Sequence, residues 1–313
     1  VSDLNLTVPM GIVYGLIGPN GAGKTTTLRM LAGLTTPTSG SIQLAGRQMT
    51  GAGAADDLRR LVGYMPDFFG VYEDMRAWEY LDFFARCHGI PAAHRGRLVA
   101  ELLDLVDLTA KRDADVSTLS RGMKQRLCLA QALVHDPQIL LLDEPASGLD
   151  PRARLELREL LRELRHMGKT LVVSSHILAE MEDLCDAVGI MERGRLLTSG
   201  GFDEIEQLLQ PRQVIEIRVL GAPDAALAFL RDRPDVVLLA DEAAAEQGKD
   251  ADGGEMMATG PQMTGWIAVT VEGGEAAQAA LLAGMVRAGL PVLGFRPRQR
   301  DLERMFMAIT KGV

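Results

Sequence analysis

The chain has 313 residues, 47% of them apolar and 24% charged, a balance that excludes a disordered or fibrous protein and provides for one large or two ordinary globular domains. Its net charge of −9 argues against nucleic acid as the main partner, since neutralising phosphates needs a basic face. The three cysteines, Cys87, Cys128 and Cys185, form no CxxC and read as buried thiols in a reducing compartment, with no zinc site.

In chain order, Ile12 to Ile17 reads as a strand and Lys24 to Ala32 as the helix after it. Between them "GPNGAGKT", Gly18 to Thr25, fits G-x-x-x-x-G-K-[ST]. Glycines let the backbone wrap a phosphate with its N–H groups, Lys24 reaches the β- and γ-phosphates, and Thr25 offers a hydroxyl to Mg²⁺ at a helix N-terminus. The phosphate-binding set is therefore Gly18, Pro19, Asn20, Gly21, Ala22, Gly23, Lys24, Thr25 and Thr26. A dinucleotide loop would have no use for Lys24-Thr25.

From about 68 to 135 the pattern is helical, with Trp78 to Cys87 and Arg97 to Val106 as its clearest stretches and no strand candidate; it reads as an inserted helical subdomain. Ser120 there is placed to cap a helix whose N-terminus faces outward as an anion site. Gln138 to Leu142 is a buried strand running into Asp143 and Glu144. Asp143 at the strand end is placed to hold Mg²⁺, and Glu144 to orient and deprotonate a water. Pro151 to His166 is an amphipathic helix with Leu157, Leu160, Leu161 and Leu164 on one face, and Thr170 to Val173 a further buried strand. The alternation predicts an α/β domain with a mainly parallel sheet over residues 1–211.

Beyond 211 the order strand, helix, strand occurs twice: Val214 to Val219, Ala225 to Leu230 and Val236 to Ala240, then Trp266 to Val271, Ala276 to Arg287 and Val292 to Phe295. This predicts a small α+β domain of ferredoxin-like βαββαβ type over 212–313. Residues 241–265, rich in Gly, Ala and acidic residues, read as a flexible loop. No apolar run approaches the length of a bilayer-spanning helix, Ile139 to Leu142 being only strand-sized, and no signal peptide is expected.

Taken together, these motifs resemble the nucleotide-binding subunit of an ABC transporter, with a P-loop NTPase core. "LSRGMKQR", Leu119 to Arg126, is similar to the family's LSGGQ signature, with Arg121 for the first glycine and Met123 for the glutamine. "SGLD", Ser147 to Asp150, is similar to its D-loop, and His176 after "TLVVSS" to the histidine that contacts the γ-phosphate. The resemblance implies ATP and Mg²⁺ as ligands, with Glu144 and His176 catalytic. It implies a dimer, of like or unlike ATPase subunits, in which Ser120, Arg121 and Gly122 of one chain face the nucleotide of the other and Asp150 lies near the seam. It also implies an integral membrane permease as partner and a place on the cytoplasmic face of the membrane.

Asp67 in "VGYMPDFFG" departs from the family's usual glutamine; an aspartate there is still able to ligate Mg²⁺. The aromatic that stacks adenine in the family is expected upstream of Val1. "DLERMFMAIT", Asp301 to Thr310, resembles the closing helix of ATPase subunits from ABC-2-type exporters, the group that includes drug-resistance exporters. Export is therefore expected. Import, or a soluble ABC-type ATPase or regulatory module uncoupled from transport, are the alternatives.

Overall fold

Five consecutive apolar or small residues, Val13–Ile17, are all buried and form the strand β1 of the computed structural model. The model describes residues 1–49, 60–68, 70–202, 204–205, 214–221, 223–239, 266–271 and 274–297. They fall into two compact units, one within Val1–Ile205 and the other within Glu206–Asp301.

In the first unit β1 leads through a glycine loop into α1 (Lys24–Leu31). A short hairpin, β2 (Gln43–Leu44) and β3 (Arg47–Gln48), precedes β4 (Val62–Met65). Three helices follow: α2 (Ala77–Cys87), α3 (Ala92–Leu105) and α4 (Arg121–Leu133). Then come β5 (Ile139–Leu142), α5 (Pro151–His166), β6 (Thr170–Ser175), the single turn α6 (Ala179–Glu182), β7 (Ala187–Glu192) and β8 (Arg195–Gly200). The sheet order is β4-β5-β6-β1-β7-β8, parallel throughout except for the antiparallel pair β7–β8. Strands buried on both faces explain why β5 and β6 read as continuous apolar runs rather than alternating ones.

Helix α5 starts where expected because Asp150 caps it, accepting from the Ala153 N–H at 2.9 Å, and Pro151 occupies its first turn. Leu157, Leu160, Leu161 and Leu164 recur at helical spacing and are all buried. In the helical region α2, α3 and α4 pack on one another, and α4 also packs on β4. The imidazoles of His88, just past α2, and His135, just past α4, stack at 4.1 Å with their planes 5° apart. His135 Nε2 lies 3.1 Å from the carbonyl oxygen of Val62 in β4.

The second unit is built from β9 (Val214–Val219), α7 (Asp224–Arg231), β10 (Val236–Leu238), β11 (Ile267–Val271), α8 (Gly274–Arg287) and β12 (Val292–Pro297). Its sheet runs β10-β11-β9-β12 with every neighbour antiparallel, the strand order of a ferredoxin-like module. Ile215, Ile217, Val269, Leu230 and Leu281 form its core. The expected loop at 241–265 and the closing helix at 301–310 lie outside the described residues.

One expectation needs correction. Cys128 and Cys185 are buried, but Cys87, the last residue of α2, is exposed, because it falls off the face that α2 turns to its neighbours. The strands β4, β7 and β8 carry no sequence signal strong enough to have been marked. Among the described residues no helix is long and apolar enough to cross a membrane.

Candidate functional site

Because β5, β6 and β1 are adjacent and parallel, the loops after them open at the carboxyl end of the sheet, where ligands of open α/β sheets bind. The loop after β1 carries the glycine motif. A Cβ on Gly18 would run into the carbonyl oxygen of Met191 and come within 2.9 Å of the Ala22 Cβ, so the loop passes too close to β7 for any side chain. Gly23 takes φ +106° as the N-cap of α1, a conformation that L side chains resist. Lys24, 5% exposed, folds back over the loop, donating to the Gly18 carbonyl at 2.7 Å and the Pro19 carbonyl at 3.4 Å. Thr25 and Thr26 are exposed at the start of α1.

The loop after β5 carries the acids. Asp143 is 1% exposed; its Oδ1 accepts from the Ser174 hydroxyl at 2.7 Å, while its Oδ2 is buried without a hydrogen-bond partner. Ser174 Oγ also accepts from the Glu144 N–H at 2.8 Å. Glu144 sits at φ +48°, a sparsely populated conformation for a non-glycine residue. Its Oε1 faces Lys24 Nζ at 3.2 Å as a charge contact without hydrogen-bond alignment. Its Oε2 lies 2.9 Å from His176 Nδ1. Lys24, Asp143, Glu144 and His176 are thus brought together from three loops. A cleft of about 150 Å³ opens there, lined by Glu144, Ser147, Gly148, Ser174 and His176. A larger cleft, about 780 Å³, is lined by Cys87, His88, His94 and His135 and by none of the motif residues.

Asp67, two residues past β4, is exposed but shares the electrostatics of this cluster. Burial raises its pKa first, and the charges of Asp143 and Glu144 raise it further, while Arg121 and His176 pull it down. Among the described residues no three His, Cys, Asp or Glu side chains gather closely enough to hold a metal alone. The donor set nevertheless fits Mg²⁺, which binds through one or two carboxylates together with phosphate oxygens. The buried, unpartnered Oδ2 of Asp143 is the donor such an ion would satisfy.

Ser120, Gly122 and Asp150 are occupied elsewhere. Ser120 caps α4, accepting from the Met123 N–H at 3.3 Å, and Asp150 caps α5. Gly122 faces Leu149 and Ala153. Arg121 lays its guanidinium on the turn after Glu144, donating from Nη2 to the Ser147 carbonyl at 3.0 Å. Sequence reasoning missed Ser174 altogether: a serine inside a buried strand has no motif to mark it, and only the neighbouring strand shows what it serves.

The family model described as ABC transporter matches residues 1–147. A relative named Nod factor export ATP-binding protein I, from Burkholderia orbicola (strain AU 1054), is 46% identical over 72% of this chain and 73% of its own. A protein of the same name from Ralstonia nicotianae (strain ATCC BAA-1114 / GMI1000) is 44% identical over 66% of this chain and 63% of its own. A solved structure described as an ATP binding subunit of an ABC transporter superposes with a TM-score of 0.58 at 33% identity, covering 65% of this chain and 84% of that one.

Proposed function

The chain belongs to the ABC transporter family, as one of its ATP-binding subunits, and from that membership we propose that it hydrolyses ATP to drive export through a separate membrane-spanning permease. The observation that carries the reading is the placement of Glu144 between Lys24 at 3.2 Å and His176 at 2.9 Å, beside the glycine loop. Export is favoured over import by the relatives, which are named for Nod factor export.

In this reading the loop Gly18, Pro19, Asn20, Gly21, Ala22 and Gly23, with Thr26 behind it, cradles the phosphates of ATP. Glu144 takes the proton of a water as its oxygen bonds to the γ-phosphorus. The bond from that phosphorus to the β–γ bridging oxygen breaks, and ADP and phosphate result. His176 orients the carboxylate through the contact with Oε2 and faces the γ-phosphate. Lys24 lies on Oε1 of Glu144 at 3.2 Å; the charge of a triphosphate would draw the lysine to the phosphates and free that oxygen to face the water. Thr25 and Asp143, with Asp67 nearby, would hold Mg²⁺. Bound there, the ion would offset the charge on the phosphate oxygens.

A second ATPase subunit, identical or related, would complete the site, presenting Ser120 and Gly122 to the γ-phosphate with Asp150 near the seam. Closure on ATP and opening after hydrolysis would move the helical region against a permease at the cytoplasmic face of the membrane.

The test is steady-state hydrolysis by the purified protein beside Glu144→Gln, with assembly followed by light scattering. The variant should lose about 10²–10⁴-fold in kcat and accumulate as an ATP-bound dimer. Wild-type turnover retained by Glu144→Gln would remove Glu144 as the base. A permease should co-purify from membranes, and its consistent absence would remove the transport reading.

A further inference from the structure

Arg121 falls at the first glycine of the LSGGQ pattern that Leu119 to Met123 resembles, and it is the first residue of α4. Its guanidinium crosses to the turn that follows Glu144. Nη2 donates to the Ser147 carbonyl at 3.0 Å, and the group lies over the Cα of Gly148. A Cβ built on Gly148 would come within 2.6 Å of both Nη1 and Nη2 and would run into Cζ. Gly148 has φ +69°, so the turn is shaped by a residue without a side chain and the vacant volume is filled by Arg121. The same turn starts at the acid: the Ser147 N–H donates to the Glu144 carbonyl at 3.0 Å, and the Leu149 N–H to the Ala146 carbonyl at 3.3 Å. It ends at Asp150, the cap of α5. A second tie lies farther along α4, where Arg126 Nη1 is 3.7 Å from Glu156 Oε2 of α5.

We propose that Arg121 is a positioning residue acting within its own chain: it clamps the Ser147–Gly148 turn, and through that turn couples the start of α4 to the orientation of Glu144. The planar fork suits the task, since it covers a flat glycine turn and donates to a carbonyl at once, which a lysine ammonium does not. The proposal rests on Glu144 being the base of an ATPase, so its test needs one measurement that does not depend on turnover.

That measurement is amide hydrogen exchange on the full-length protein without nucleotide. Arg121→Ala should speed exchange of the Ser147 and Leu149 amides by about tenfold while leaving α1 unchanged; unchanged exchange at the turn overturns the clamp whatever the enzyme does. In steady-state ATP hydrolysis, Arg121→Ala should lower kcat by about ten- to a hundredfold with KM for ATP within about twofold. A raised KM or lost ATP-dependent dimerisation at unchanged kcat would instead place Arg121 on the opposite subunit's nucleotide. Arg121→Lys should remain impaired; full recovery with lysine would make charge, not the clamp, the agent. Gly148→Ala collides with the guanidinium, so adding Arg121→Ala to it should cost nothing more in kcat, whereas effects that multiply would overturn the coupling.

Discussion

Ser174 serves two neighbours with one oxygen, donating to Asp143 Oδ1 and accepting from the Glu144 N–H. It fixes the rotamer of one acid and the backbone of the next, which is held at φ +48°. Ser174→Ala would leave a buried carboxylate oxygen and a peptide N–H unpaired, and should cost about 1–3 kcal/mol of stability in urea unfolding. The same variant should lower kcat, read by ATP hydrolysis, because both acids lose their shared anchor. At this scale the site is legible in sequence only where its residues are contiguous. The run Gly18 to Thr25 and the pair Asp143-Glu144 announce themselves because one loop supplies the whole device. Ser174 and the cis contact of Arg121 depend on strands or helices meeting from 26 or more residues away, and no local spacing encodes them.

Among the elements, β4 is held against α4 by the absence of a side chain. A Cβ on Gly63 would meet the Ala132 carbonyl oxygen and lie 2.8 Å from Leu140 Cδ2 and 2.9 Å from Pro137 Cγ. Backbone and ring atoms leave little room to adjust, so Gly63→Ala should cost about 1–3 kcal/mol, measured as a lower urea midpoint with an unchanged slope. The same glycine explains why β4 escaped notice: four residues, Val62–Met65, with glycine inside and Pro66 after them lack the apolar run that marks β5. β8 was hidden differently, since Thr198, Ser199 and Gly200 at a sheet edge lack the apolar run that marked its interior neighbours. By contrast α5 was legible to the residue, because its cap, its proline and its leucine stripe agree.

Over the whole molecule, acid sensitivity is set in part by the stacked imidazoles. Burial, then the neighbouring His88, lowers His135 to about 4 from the ordinary 6.5. On acidification the unfolded chain therefore takes up this proton first. The contribution is fully present above about pH 7, declines between 6.5 and 4, and is gone below that. The loss should amount to about 1–3 kcal/mol. Urea unfolding at pH 7.5 and 5.0 checks it: the wild-type decrease should exceed that of His135→Phe, which keeps a ring in the stack but cannot be protonated. The cysteine inventory has a practical corollary at the same scale. Burial lifts the thiols of Cys128 and Cys185 to about 12, which leaves them protonated and unreactive at neutral pH. Cys87 alone is open to reagents, at the end of α2 and beside that stack. A maleimide dye would mark one position without any engineering, giving a native reporter for movement of the helical region during an ATP cycle.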